Sequence, residues 1–217
     1  MSSQKLIEIR GNKFILDDDY LEWHSQQSYH YSQNSNEFCF RWVNNPGQFE
    51  IEEHTLFNKY ATEISNVLDL GGFIGTLSCA INKTLKNPNN HIVTEIHPFY
   101  RKYLKKNRDI NNCKFKVLEK INKIEEVDVD YYFDTIVSDI EGDEFKFILD
   151  NFDYISEHVS LLIVEFHDRY YALPNQPEKN RQLVPQDLKH NCLERLKTKY
   201  NLVDSMGTTS VYKRKIK

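Results

Sequence analysis

Residues 67–75, VLDLGGFIG, constrain the fold of this chain more than any other stretch. Val67, Leu68 and Asp69 lead into Gly71, Gly72 and Gly75, and apolar residues then recur at Leu77, Ala80, Ile81 and Leu85. That pattern is a strand, a tight glycine turn and a helix. Glycines are expected at such a turn because a ligand lying across the strand end must approach the backbone closely, and a Cβ would block it. The first turn of the helix adds unpaired N–H groups aimed at the same place.

Spacing separates the two cofactor classes that use such a turn. A dinucleotide fingerprint G-x-G-x-x-G ending at Gly75 requires glycine at position 70, which is Leu70. Read as acid-x-G-x-x-x-G, the stretch supplies Asp69, Gly71 and Gly75, and so resembles motif I of the S-adenosylmethionine-dependent methyltransferases. The other reading is a plain structural turn.

A chain of 217 residues accommodates one α/β domain with a modest extension, and the division expected is an N-terminal extension or substrate lid over 1–50 and the catalytic domain over 51–217. The net charge of -4 offers no general attraction to nucleic acid or an anionic membrane. Cys39, Cys79, Cys113 and Cys192 are scattered without a C-x-x-C pair, which suggests neither a zinc knuckle nor a disulfide framework. The start, MSSQKLIEIR, has no apolar signal region, and the longest apolar run, 159–164, is interrupted by Ser160 and too short to span a bilayer. A cytoplasmic, membrane-free protein is expected, and the oligomeric state is left open.

Along the chain, 5–9 and 13–16 flank Gly11 and Asn12 as a β-hairpin. Asp17, Asp18 and Asp19 precede a segment, 20–36, rich in Tyr, His, Ser, Gln and Asn; it reads as a solvated loop or as a lid over a polar ligand. Residues 38–43 form an expected strand, and Phe57, Tyr60, Ala61 and Ile64 fall at helical spacing. After the glycine turn and its helix, 91–95 is a second strand, and Pro98 opens a helix that turns Phe99, Tyr103 and Leu104 inward. Glu95 ends that strand 20 residues after Gly75, where an acid in a βαβ nucleotide fold reaches both hydroxyls of a ribose. Its neighbour Ile96 joins it among the candidate cofactor-binding residues, and the bland reading of Glu95 is a surface carboxylate.

A third strand, 115–118, is followed by a charged stretch with little or no helix, and 133–139 reads as a fourth strand buried on both faces. Its end carries Asp139, Glu141, Gly142 and Glu144 before a helix with Phe145, Ile148, Leu149 and Phe152 on one side. A fifth strand, 159–165, ends in Glu165, Phe166, His167, Asp168 and Arg169. In an open α/β sheet, acids and a histidine at the carboxyl ends of two strands border the crevice where ligands bind. A late helix through Leu188, Cys192, Leu196 and Tyr200 and a hairpin around Met206 and Gly207 close the chain, like the antiparallel pair that ends a methyltransferase sheet.

These residues resemble the FkbM family of S-adenosylmethionine-dependent methyltransferases. The resemblance runs over about 50–168, through VLDLGGFIG, TEIHP with Asn107 downstream, VSDIEGDEF and LLIVEFH, and Phe73 departs from it by standing where the family usually has Asn. It implies a Rossmann-like class I methyltransferase fold, with a seven-stranded, mostly parallel sheet and a final antiparallel hairpin. It also implies O-methyl transfer to a hydroxyl of a sugar, glycan or other small molecule, with S-adenosylmethionine held by Asp69, Gly71, Gly72, Phe73, Gly75, Glu95, Ile96 and Asp139. His167 is the expected general base, because imidazole titrates near neutral pH and Glu165 and Asp168 flank it, with Asp139 and Glu141 as further catalytic candidates. Asp139, Glu165 and Asp168 are also hard oxygen ligands suited to Mg²⁺. The competing readings are a non-catalytic protein of the same fold, an RNA or nucleotide methyltransferase, and a nicotinamide oxidoreductase that the missing glycine disfavours.

Overall fold

The computed structural model describes residues 5–22, 48–170 and 182–216, so the expected strand over 38–43 and most of the 20–36 segment lie outside the described residues. Seven strands form one sheet: β3 (Val67–Leu70), β4 (His91–Thr94), β5 (Lys116–Leu118), β6 (Thr135–Ser138), β7 (Leu161–Glu165), β8 (Tyr200–Met206) and β9 (Thr209–Arg214). Their spatial order is β5-β4-β3-β6-β7-β9-β8. The first five run parallel, and β9 enters antiparallel to β7, with Glu165 opposite Thr209. The chain builds outward from β3 to β5, then resumes on the other side of β3 with β6, so a topological switch lies between β3 and β6, where crevices open in such sheets.

The strands that line the switch carry no polar face. β3, β4 and β6 are buried at every position, as expected of parallel strands covered by helices on both sides. Alternation still sorts their side chains. Leu68, Leu70, Ile136, Leu162 and Val164 enter one core with Phe145, Ile148 and Phe152, whereas Val67, Val137, Leu161 and Ile163 face α1 (Ile51–Tyr60) and α2 (Thr76–Thr84). The first core is also covered by α4 (Glu144–Asp150), α5 (Phe152–His158) and α6 (Gln186–Lys199). The single helix expected after 144 is two, broken at Asn151, whose side chain accepts from Ile124 N–H and donates to the carbonyls of Asn122 and Phe147. A polar residue so engaged cannot also continue a regular helix.

The hairpin of β1 (Lys5–Ile9) and β2 (Asn12–Leu16) packs on α3 (Pro98–Ile110). Ile9, Phe14 and Leu16 share a core with Ile74, Val93, Tyr103 and Leu104. Tyr20, expected at the start of a solvated loop, is 1% exposed and stands edge-on to Tyr103 at 4.9 Å. Asp17 holds that corner: it accepts from the amide of Tyr20 at 3.0 Å, from the Tyr103 hydroxyl and from Lys106 at 3.1 Å. No helix among the described residues is long and apolar enough to cross a membrane.

Candidate active site

The glycine turn is built against the protein itself. Gly71 and Gly72 both donate to the carbonyl of Thr94, at 3.0 and 2.8 Å, and the amide of Asp139 donates to Leu70 at 2.9 Å. Gly71 has φ +87, and a Cβ there would lie 1.7 Å from the carbonyl oxygen of Asp139; one at Gly72 would lie 2.2 Å from Val93. Neighbouring strand ends occupy the space a Cβ would need, so packing by itself requires glycine at both positions. Gly75, at φ +94, caps α2.

Asp69, the acid of the motif, is 4% exposed and accepts from Ser78 Oγ at 2.6 Å, with His91 Nε2 3.7 Å away. It ties β3 to α2 and forms part of the cleft wall. Phe73 has φ +46, and its ring lies 4.4 Å from that of Tyr100.

Glu95 sits at the mouth between β3 and β4. Its Oε2 accepts from the amide of Phe73 at 2.8 Å and its Oε1 from that of His97 at 2.7 Å. Burial raises its carboxyl to about 7 against the opposing pull of those two amides and of Arg101. Each oxygen still has a lone pair to offer. Ile96, next to it, is 62% exposed at the end of a strand whose other residues are buried, an apolar platform open to a ligand.

A narrow cleft opens across the switch between β3 and β6 and extends to β7 and β9. Gly71, Gly72, Ser138 and Asp139 line it at the ends of β3 and β6, Glu50 bonds Thr76 beside the glycine turn, and Glu53 and Glu165 line it toward Thr209 of β9. Two polar atoms there have no hydrogen-bond partner among the described residues: Ser138 Oγ, on a residue 4% exposed, and Asp139 Oδ1. The Asp139 side chain keeps 37% of its surface, but Oδ1 itself is sealed from solvent. Burial, with Glu165 and Glu141 beside it, raises the Asp139 carboxyl well above its usual range.

His167 lies at the rim among carboxylates. Nδ1 is 2.9 Å from Glu144 Oε1, and Nε2 is 3.6 Å from Glu165 and 3.8 Å from both Asp139 and Glu141. Burial works against its charge, but the bond to Glu144 and the fields of Glu144, Glu141 and Glu165 prevail and lift it to about 9. The imidazole is thus charged at neutral pH. A charged imidazole donates protons rather than accepting them, which weighs against the role of general base expected of it and leaves Asp139 and Glu141 as the acceptors nearby.

The metal reading changes as well. Asp168 turns outward, 85% exposed, and pairs with Lys189, so it does not meet Asp139. Asp139, Glu144 and His167 do bring one ligand atom each within 4.8 Å of one another. That set offers an imidazole nitrogen in place of an oxygen, and Mg²⁺ selects oxygen. These residues do not fit Mg²⁺.

S-adenosylmethionine fits them better. A carboxylate at the β4 end suits a ribose diol, Ile96 suits an adenine face, and the unpartnered oxygens of Ser138 and Asp139 suit an ammonium group. The fold agrees. A methyltransferase from Pyrococcus furiosus superposes with a TM-score of 0.56 at 14% identity, over 86% of this chain and 100% of that one. An S-adenosylmethionine-dependent methyltransferase from Clostridium acetobutylicum ATCC 824 gives 0.54 at 10% identity, over 82% of this chain and 98% of that one. The fold is that of the S-adenosylmethionine-dependent methyltransferases. At such identities the likeness speaks for the fold alone. No protein-family model matches the chain, and no curated protein matches it by sequence.

Three acids of this site were not assigned a role from sequence. Glu50 and Glu53 flank the start of α1, where first-turn acids are ordinary complements to the helix dipole and carry no distinguishing mark. Glu144 was visible in the run DIEGDE, but only the fold shows that it turns inward.

Proposed function

We propose that this protein is an S-adenosylmethionine-dependent methyltransferase that acts on a hydroxyl of a sugar, glycan or other small molecule. The observation that carries the reading is the position of Glu95: a buried carboxylate bonded to the glycine turn of a methyltransferase sheet, at the strand end where a ribose diol is held. The choice of oxygen and of a sugar rests on the FkbM resemblance of VSDIEGDEF and LLIVEFH.

Bound S-adenosylmethionine supplies a methyl group made electrophilic by its sulfonium. Glu95 would accept from its ribose hydroxyls, Ile96 would support its adenine, and Ser138 and Asp139 would receive its ammonium. With Asp139 at the ammonium, Glu141 is the carboxylate left beside His167 to accept the proton of the reacting hydroxyl. His167, as imidazolium, orients those acids and tempers their mutual repulsion. A nucleic-acid substrate is disfavoured because the cleft would repel phosphate.

The test is a screen of nucleotide sugars and glycans for uptake of labelled methyl groups, run beside calorimetric titration with the cofactor. Cofactor binding with labelled product supports the reading; a protein that binds no cofactor refutes it.

A further inference from the structure

The net charge of -4 averages over a strong asymmetry. Residues 98–123 carry nine Lys and Arg against two Asp and Glu, a net +7, so the remainder of the chain carries -11. The fold gathers this segment on one flank, because it runs through α3 and then β5, which ends the sheet and pairs with β4 alone.

Helical spacing turns Tyr103, Leu104 and Asn107 inward and leaves Lys102 and Lys105 in solvent. Arg101 and Arg108 reach from α3 to the edge strand. Arg101 donates to Glu119 at 3.0 Å, just past β5, and Arg108 to the carbonyl of Phe115 at 3.4 Å, just before it. Lys114 and Lys116 stand exposed on that edge. Helix and strand thus present one continuous basic face.

The nearby acids do not neutralise it. Asp109 and Glu119 are taken by Arg108 and Arg101, and Asp17 by Lys106. Among the described residues, Lys102, Lys105, Lys114 and Lys116 have no carboxylate within ion-pair distance. The helix itself does not call for them, since only Arg108 lies in the last turn, where the dipole favours a cation. Like charges gathered on one flank raise a positive potential that draws an anionic surface to that side.

The rest of the molecule decides which anion fits. A nucleic acid taken as acceptor would have to run from this flank into the cleft, where Glu50, Glu53, Asp139 and Glu165 repel phosphate. Tyr132 is the one large aromatic side chain exposed among the described residues, and it lies outside α3 and β5, so the lysines have no ring beside them on which bases would stack. An anionic bilayer stays outside the cleft and asks only for clustered Lys and Arg on an outer face. We propose that the α3–β5 flank docks the protein on an anionic lipid surface. Because α3 starts three residues after Glu95, the docked flank reaches the strand end that carries that acid. The proposal does not depend on the methyltransferase reading.

Co-sedimentation of the full chain with vesicles of phosphatidylcholine alone, and of phosphatidylcholine mixed with phosphatidylserine, tests it at low and at high salt. Binding is expected only with phosphatidylserine and should weaken at high salt. Each lysine near such a surface contributes about five-fold, so Lys102→Gln, Lys105→Gln and Lys116→Gln together should weaken binding about a hundred-fold. All three side chains are exposed, so the fold is not at stake. The same charge removed from α4 and α6, by Lys146→Gln, Lys197→Gln and Lys199→Gln, should leave most of the binding in place. An RNA oligonucleotide, titrated by fluorescence anisotropy at the same salt, is the competing partner. No preference for phosphatidylserine, equal losses in the two triple variants, or a lysine-dependent affinity for the RNA that exceeds the affinity for vesicles would overturn the proposal. Calorimetry with S-adenosylmethionine reads the methyltransferase claim separately.

Discussion

His167 Nδ1 stands 2.9 Å from Oε1 of Glu144, a carboxyl with no exposed surface. The same carboxyl accepts from the amides of Ile140 and Gly142, at 3.0 to 3.1 Å, and so closes the loop that carries Asp139 and Glu141. One buried acid thereby sets both the shape of the loop and the charge of the histidine. In Glu144→Gln the imidazole loses its principal counter-charge, and its titration midpoint should fall from about 9 toward the ordinary 6.5, as read by NMR of the ring protons. A midpoint that stays near 9 would show that Glu141 and Glu165 suffice.

The pH dependence of stability has a definite sign. Glu53 and Glu95 titrate near 7 in the folded chain, against 4.5 when free. Between those values the folded chain holds protons that the unfolded chain has released, so stability falls as pH rises through that window. His167, raised from 6.5 to about 9, adds stability below 6.5 that is lost as pH rises through 9. Both effects run the same way. Thermal unfolding should therefore drop by several degrees from pH 5 to pH 9, since about 1 kcal/mol moves the midpoint of a chain of this size by roughly 2–4 °C. A midpoint that rises over that range would contradict the assignment.

Two glycines with similar backbone angles should respond differently to alanine. At Gly11, φ +75, the new Cβ meets nothing within 4 Å, and the cost is the left-handed backbone alone, about 1 kcal/mol. At Gly71, φ +87, it meets the carbonyl oxygen of Asp139, so β3 and β6 must part, at a cost of roughly 4 kcal/mol or more. Urea unfolding of the two variants distinguishes them, and equal losses would mean that the turn yields freely.

Asn107 joins the glycine turn to the hairpin. Fully buried, it donates to the carbonyl of Ile74 at 2.9 Å and accepts from the amide of Ile15 at 2.8 Å. Asn107→Leu strands both backbone groups in the core, a loss of about 2–4 kcal/mol. Because Ile74 lies within the turn, cofactor affinity should fall along with stability, whereas Asn111→Ala, just past the end of the same helix and away from the turn, should lower stability alone.

The backbone of this fold was legible because its signals are local. Val67 through Gly75 announced the central strand and turn, Pro98 the start of α3, and Met206 with Gly207 the closing hairpin, and each lies where it was expected. The setting of the site was less legible, because it depends on which strand ends the sheet order brings together. Nothing near Glu53 in sequence says that it will face Glu165, more than a hundred residues away, or that Asp168 will turn out to Lys189 while His167 turns in. The proton affinity of His167 is raised, as Glu165 beside it suggested, but its closest partner is Glu144 at the start of α4, which sequence proximity did not single out.

The account stands on Glu95 as the anchor of the cofactor's ribose. Calorimetric titration of S-adenosylmethionine into the native protein and into Glu95→Ala tests it directly. The native protein should bind one equivalent and the variant about ten- to a hundred-fold more weakly, the range for lost hydrogen bonds to a charged group. Unchanged affinity in a folded Glu95→Ala protein, or no binding by the native chain, would contradict it.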